Sequence, residues 1–234
     1  MWMSKQLEKT DPELMERLEH FMEQEVPGEP GQGLEAKTRY LAILATLLGC
    51  QGLEAFRQVL PEALENGVTP VMAKETVYQA IDYLGIGRVL PFLTAANEVL
   101  AARGVPLPLP GQAATTLEDR LEKGAQAQVD IFGEGMRTAW QQGHINRWLA
   151  DNCFGDYYTR TGLDLAQREM ITFCFLAAQG GCEPQLTAHA GGNMNLGNDR
   201  EFLIRVVSQC LPYIGYPRSL NAIRCIEDAA RQRA

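Results

Sequence analysis

Glu75–Gly104 reads ETVYQAIDYLGIGRVLPFLTAANEVLAARG, and Arg205–Ala234 reads RVVSQCLPYIGYPRSLNAIRCIEDAARQRA. Laid over one another, the two stretches pair Val77 with Val207, Gln79 with Gln209, Tyr83 with Tyr213, Gly85 with Gly215, Arg88 with Arg218, Leu90 with Leu220 and Arg103 with Arg233. Each holds an apolar helical run, a Tyr-x-Gly break and a second helical run. Upstream, after a slip of two residues, Leu44-Ala45 falls on Leu176-Ala177 and Gly49-Cys50 on Gly181-Cys182. Matched blocks in the same order predict a duplicated chain, each half a helical unit packed against its copy.

Helix signals continue outward from these segments. Asp11-Pro12 has the form of an N-cap followed by Pro at the first helical position, with Leu14, Leu18 and Phe21 inward. A Gly/Pro-rich loop, Val26 to Gly33, is expected to end that helix. Further helices are predicted over Glu35–Leu48, Leu53–Asn66, Pro70–Leu84 and Arg88–Arg103. The stretch GVPLPLPGQAAT, Gly104 to Thr115, is the clearest linker. Beyond it, Thr116 or its neighbour is expected to cap a helix running through Val129, with further helices over Glu134–Gln142, Ile145–Asn152, Leu165–Gln179, Gln185–Asn195, Arg200–Pro212 and Arg218–Arg231. Alternating strand patterns with hairpin turns are nearly missing. The predicted fold is all-α, with an N-terminal repeat over 1–104, a linker over 105–115 and a C-terminal repeat over 116–234.

Composition narrows the function. The net charge of −8 repels a polyanion, and no Lys/Arg run forms a local patch, so nucleic acid is not an expected partner. No segment has the ~18 consecutive apolar residues of a membrane span. Met1 to Glu16 is charged throughout and lacks the apolar core of a secretion signal, which makes a cytoplasmic location the expectation. The cysteines, Cys50, Cys153, Cys174, Cys182, Cys210 and Cys225, form no Cys-x-x-Cys pair, and with three histidines no zinc-type spacing arises. Free thiols are expected, most of them as small core residues. Trp140 and Trp148 are read as packing anchors. His20, on an amphipathic helix, and His144, in a loop after Gly143, are read as solvated.

The segment Phe154-Gly-Asp-Tyr-Tyr-Thr-Arg-Thr-Gly-Leu-Asp-Leu-Ala-Gln-Arg-Glu169, then His189 and Tyr213-Ile-Gly-Tyr-Pro217, resembles the carboxymuconolactone decarboxylase domain. The first half fits more loosely, through Lys37-Thr-Arg-Tyr40, Asn66-Gly-Val-Thr-Pro70 and Tyr83-Leu-Gly-Ile-Gly87. The resemblance spans about Gly33–Gly104 and Asn152–Ala234. That family is similar in fold to alkylhydroperoxidase D, which carries Cys-x-x-Cys-x-x-x-His as a redox pair with its His. The matching window here is Cys182-Glu-Pro-Gln185-Leu-Thr-Ala-His189: the first Cys and the His are present, and Gln185 stands at the second Cys. In the first half the window Cys50 to Arg57 lacks both the second Cys and the His, and Lys37 is aligned with Glu169.

On this footing the candidate catalytic residues are His189, Glu169 and Cys182. An imidazole can move a proton near neutral pH. His189 lies about two helical turns after Cys182, so both would share a face. Glu169 would orient His189, unless it only caps its helix. Cys182 would be a reactive thiol if a helix N-terminus lowered its pKa, or a small buried residue otherwise. Arg160 and Arg168 would clamp a substrate carboxylate, with Gln185 as a further substrate contact. Gly85, Gly215 and Pro217 are structural breaks.

The resemblance implies a lyase without metal or organic cofactor, acting on a small carboxylated or lactone-type molecule. It also implies a homo-oligomer, a trimer of two-repeat chains by analogy with the rings of single-domain members. Two alternatives stand beside it: a thiol-dependent peroxidase or disulfide reductase using Cys182 and His189, and a non-catalytic binding or scaffold protein.

Overall fold

The structure, a computed structural model, describes residues 7–233. Parts of the expectations for Met1 to Glu16 and for the last repeat position, Ala234, therefore lie outside the described residues. Helices follow one another without strands among those residues, in the order α1 (Leu7–Thr10), α2 (Pro12–His20), α3 (Val26–Gly28), α4 (Ala36–Gly49), α5 (Leu53–Glu65), α6 (Pro70–Leu84), α7 (Ile86–Ala102), α8 (Arg120–Phe132), α9 (His144–Trp148), α10 (Leu165–Gln179), α11 (Glu183–Asn195) and α12 (Arg200–Arg231). Wider turns of helix join α2 to α3 over Phe21–Glu25 and extend α9 over Leu149–Tyr158. No helix of the described residues is long and apolar enough to cross a membrane.

Two helices are buried on every side. Leu41 to Gly49 in α4 and Arg168 to Ala178 in α10 are each an unbroken buried run, the pattern of a central helix rather than a surface one. They pack against each other where Gly49 meets Ala178: a Cβ at Gly49 would stand 2.7 Å from the Ala178 Cβ and from the Phe175 carbonyl. One apolar core surrounds this contact and draws on both halves, with Leu44, Val77 and Phe92 from the first and Ile171, Phe175, Val206 and Cys210 from the second.

The duplication is visible element by element. The four helices α4–α7 are matched by α10, α11 and the two arms of α12, which breaks at Gly215 (φ 74°) as α6 and α7 are parted by Gly85 (φ 81°). Thr69 caps α6 by accepting from Met72 N, and Asp199 caps α12 by accepting from Phe202 N. The α4–α5 and α10–α11 loops have equal length, and α10, at 15 residues, is one longer than α4 at 14. The two-residue slip read from the sequence is thereby corrected. Cys182 is the N-cap of α11 and corresponds to Gly52, the N-cap of α5, so Cys50 and Cys182 are not equivalent. Counted from the N-caps Glu35 and Asp164, Tyr40 rather than Lys37 stands at the place of Glu169. Val59 stands at the place of His189.

Several boundaries also differ from expectation. The first helical segment continues to Gly28, through wide turns, instead of ending at Val26. Helix α8 starts at Arg120 with Asp119, not Thr116 or its neighbour, at the N-cap, because Thr116 N donates to Asp119 Oδ1 (2.6 Å) and closes a separate turn before it. Glu134–Gln142 is two short 3-10 turns, bracketed by Gly133 (φ 93°) and Gly143 (φ 149°). The helix expected to end at Asn152 runs to Tyr158. There Gly155 lies against the Arg120 carbonyl of α8, while Gly124 lies against the Ala150 carbonyl, too close in each case for a Cβ. Trp148 is 51% exposed and so anchors no core. His144 opens α9, edge-on to Trp148, and His20 is exposed beside Gln24 and Glu25.

Candidate active site

Helix α10 starts with a capping box: Asp164 accepts from Gln167 N, and Gln167 accepts from Asp164 N. Its N-terminus is therefore satisfied without Glu169, and the helix-capping role is excluded for that residue. Glu169 lies inside α10 with no exposed surface. A carboxylate so placed needs donors on both oxygens. Glu169 Oε1 accepts from the Tyr158 hydroxyl at 2.7 Å, and Oε2 lies 2.9 Å from His189 Nδ1.

Helix α11 supplies the imidazole two turns beyond its N-cap. Tyr83 and Phe132 meet the His189 ring edge-on, with centroids 5.5 and 5.4 Å away. Gly192, one turn later, makes the approach of Glu169 possible: a Cβ there would lie 2.7 Å from Oε2 and 2.9 Å from Ile131 and Phe132. Asn193 ties α11 to α10 by donating to the Glu169 carbonyl (2.9 Å) and the His189 carbonyl (2.8 Å). Among the described residues no hydrogen bond takes His189 Nε2, and the side chain retains 11% exposure. Nε2 is thus the nitrogen left for chemistry. A surface cleft of about 570 Å³, lined by residues such as Glu118, Gln126 and Trp140, does not include His189.

Behind the carboxylate lies a set of hydroxyls. Tyr158 also meets Thr172 Oγ1 (2.8 Å) and the Tyr83 hydroxyl (2.9 Å). Burial pushes the Tyr83 and Tyr158 phenols well above the ordinary tyrosine range. The Cys153 thiol, 3.8 Å from the Tyr83 hydroxyl, is likewise pushed well up by burial. Its neighbour Asp82 is raised to about 7, first by burial and then by Asp156.

The predicted site residues divide. His189 and Glu169 are brought together. Cys182 is not among their partners: its thiol bonds the Leu176 carbonyl (3.5 Å) and Gln179 (3.8 Å), and burial pushes it up rather than down. Gln185 is exposed on α11. Arg160 and Arg168 are turned inward onto a carboxylate that the sequence reading did not single out. Arg160 grips Glu75 through Nε (2.9 Å to Oε2) and Nη2 (2.8 Å to Oε1). Arg168, with no exposure, donates to Glu75 (2.9 Å) and Gln79 (2.8 Å). The expected carboxylate clamp is therefore already closed on the protein's own Glu75. Among the described residues no group of three His, Cys, Asp or Glu side chains is placed to hold a metal ion.

Sequence reasoning missed Glu75, Gln79, Tyr83, Tyr158, Thr172 and Asn193 as parts of this network. Gln79 and Tyr83 had a signal, since both recur in the repeat as Gln209 and Tyr213. In the first half the same locations are stripped of this chemistry. Tyr40 and Val59 replace the acid and the imidazole, and Tyr213 packs on Met15 and Met22.

Comparison with known proteins agrees with this duplicated layout. No curated protein matches the chain. The model of the carboxymuconolactone decarboxylase family matches it twice, over residues 12–98 and 144–228. Both matches begin earlier than the motifs in the sequence suggested, so each takes in a helical segment before its four-helix repeat. Most of the chain is covered, in two copies that follow one another along the chain, and the protein belongs to the carboxymuconolactone decarboxylase family.

Proposed function

We propose that the chain is a cofactor-independent lyase that removes CO2 from a small carboxylated or lactone-type metabolite, with His189 as the proton shuttle. The observation that carries this reading is the 2.9 Å contact of His189 Nδ1 with the fully buried Glu169. An imidazole that gives Nδ1–H to a carboxylate presents Nε2 to a substrate in a fixed orientation. In decarboxylation the C–COO⁻ bond breaks, CO2 leaves, and the electron pair passes into an adjacent carbonyl or enoate. Carbon must then take up one proton, which Nε2–H of the imidazolium delivers. The proton consumed is replaced from water, and Glu169 stabilises the charged ring in between.

The test uses carboxymuconolactone and related lactone and keto acids as probes, with CO2 release as the readout. His189→Ala is expected to lower turnover by about 10²–10⁴-fold, the usual range for a lost general acid–base. Turnover equal to wild type removes His189 from the mechanism. A wild-type chain idle across the whole panel favours the binding-protein reading instead. The thiol reading has less support, because the half-buried Cys182 lies away from His189 and its pKa is pushed up rather than down. Labelling of Cys182 that titrates clearly below ~8.5 would restore it.

A further inference from the structure

The first half has neither the acid nor the imidazole at the matching places, yet one face of its α6 runs into the site of the second half. Glu75, Gln79 and Tyr83 recur every fourth residue and so form a stripe along α6. Each of them bonds the second half, and the direction of each bond is set by what the groups can do.

A guanidinium only donates. Arg168 gives Nη2–H to Glu75 (2.9 Å) and Nη1–H to Gln79 Oε1 (2.8 Å). The Gln79 amide is thereby held in one orientation. Its Nε2 donates to the Arg168 carbonyl (2.9 Å) and to Thr172 Oγ1 (2.8 Å). The proton of Thr172 then points to Tyr158, 2.8 Å away. Tyr83, whose oxygen lies 3.8 Å from the Cys153 sulfur, gives its own proton to Tyr158 at 2.9 Å. With two donors on its oxygen, Tyr158 has one place for its single proton, Glu169 Oε1 at 2.7 Å. Glu169 Oε2 is left to accept from His189.

We propose that the Glu75–Gln79–Tyr83 stripe of the first half is a set of positioning residues that holds His189 of the second half as the Nδ1–H tautomer, leaving Nε2 as the proton-transferring atom. The half that lost its own site thus completes the other one. None of the three residues needs to touch substrate; they act through Thr172, Tyr158 and Glu169. Removing a donor from Tyr158 loosens its hydrogen bond to Glu169; the carboxylate is then free to turn away from the ring, and Nδ1–H loses its fixed acceptor. This proposal rests on the role given to His189 above, but its readout needs no turnover.

The experiment is nitrogen-15 NMR of the imidazole rings in the full chain, with the His189 signals assigned by their loss in His189→Ala. Wild type is expected to show Nδ1 protonated and Nε2 bare in the neutral ring. Tyr83→Phe keeps the aromatic edge on His189 and removes the hydroxyl. Gln79→Glu keeps an acceptor for Arg168 and draws the Thr172 proton away from Tyr158. In each variant the two ring-nitrogen shifts should move toward one another as tautomers mix, and furthest in the double variant. Wild-type shifts in both variants, with unchanged helical circular dichroism, overturn the proposal, as does a wild-type ring protonated at Nε2. Should Gln79→Glu not fold, Tyr83→Phe decides alone by the same criterion. Unmoved nitrogens together with a His189-dependent turnover sink the positioning role and spare the lyase reading, and moved nitrogens in an idle enzyme do the reverse.

Discussion

Asp82 stands one residue before Tyr83, with its Oδ2 buried and lacking a hydrogen-bond partner among the described residues. Burial raises its pKa to about 7, Asp156 adds to this, and the Cys153 thiol offsets part of it. A carboxyl whose folded pKa lies above its unfolded value stabilises the fold fully below the unfolded value, 3.8 here. That contribution is lost as pH rises through about 7. Asp82→Asn cannot ionise, so it should gain on wild type between pH 5 and pH 8 by roughly 1–3 kcal/mol, allowing for partial solvent contact. Urea midpoints of both proteins at the two pH values measure this, and an unchanged difference would show that Asp82 is solvated at both. At this scale the sequence reveals His189 and Glu169 because they sit inside motifs of local spacing. It hides Tyr158, Thr172 and Gln79, whose partners lie on other helices up to 93 residues away. The same distance misled the reading of Arg160 and Arg168. A guanidinium is evident in a sequence, but its partner Glu75, 85 and 93 residues away, is not.

Among the elements, the contact of α8 with the wide helix Leu149–Tyr158 matters most for the site, since that helix carries Tyr158. Two glycines allow it. A Cβ at Gly124 would overlap the Ala150 carbonyl, and one at Gly155 would overlap the Arg120 carbonyl. Backbone cannot move aside as a side chain can, so Gly124→Ala and Gly155→Ala should each destabilise by about 1–3 kcal/mol or more. Thermal melting checks this. A wild-type melt in either variant would mean the two helices are not in contact. The long helices of both halves were readable because apolar runs, Pro at the first helical position and the Tyr-x-Gly breaks are local signals. The wide helix was read only as far as Asn152, because Gly155 interrupts the helical pattern beyond it, and only the facing Gly124 explains Gly155 as a packing residue. The register of the repeat failed for a related reason. The pairing of Gly49-Cys50 with Gly181-Cys182 was tempting by identity, whereas the equal loop lengths between helices set the true correspondence.

For the molecule as a whole, the sequence predicted two packed halves but not how completely they merge. The cluster around Leu44, Phe92, Ile171 and Phe175 is one body of side chains drawn from both halves, so parting them opens the core of the first half and one side of the core of the second. Glu75 reinforces the joint, since among the described residues it is the only carboxylate bonded to the fully buried Arg168 and also grips Arg160. Glu75→Ala leaves a buried guanidinium without its counter-charge, and such a loss costs about 3–5 kcal/mol. Unfolding should therefore be one transition, the same by circular dichroism over all helices as by fluorescence of Trp140 and Trp148. In Glu75→Ala both probes should shift together to lower denaturant. If the second half unfolded apart from the first, its tryptophans would report a separate midpoint, and the dependence of the His189 site on α6 would lose its structural basis. A shared midpoint is what that dependence requires: the first half has to be folded whenever the second half holds its imidazole in place.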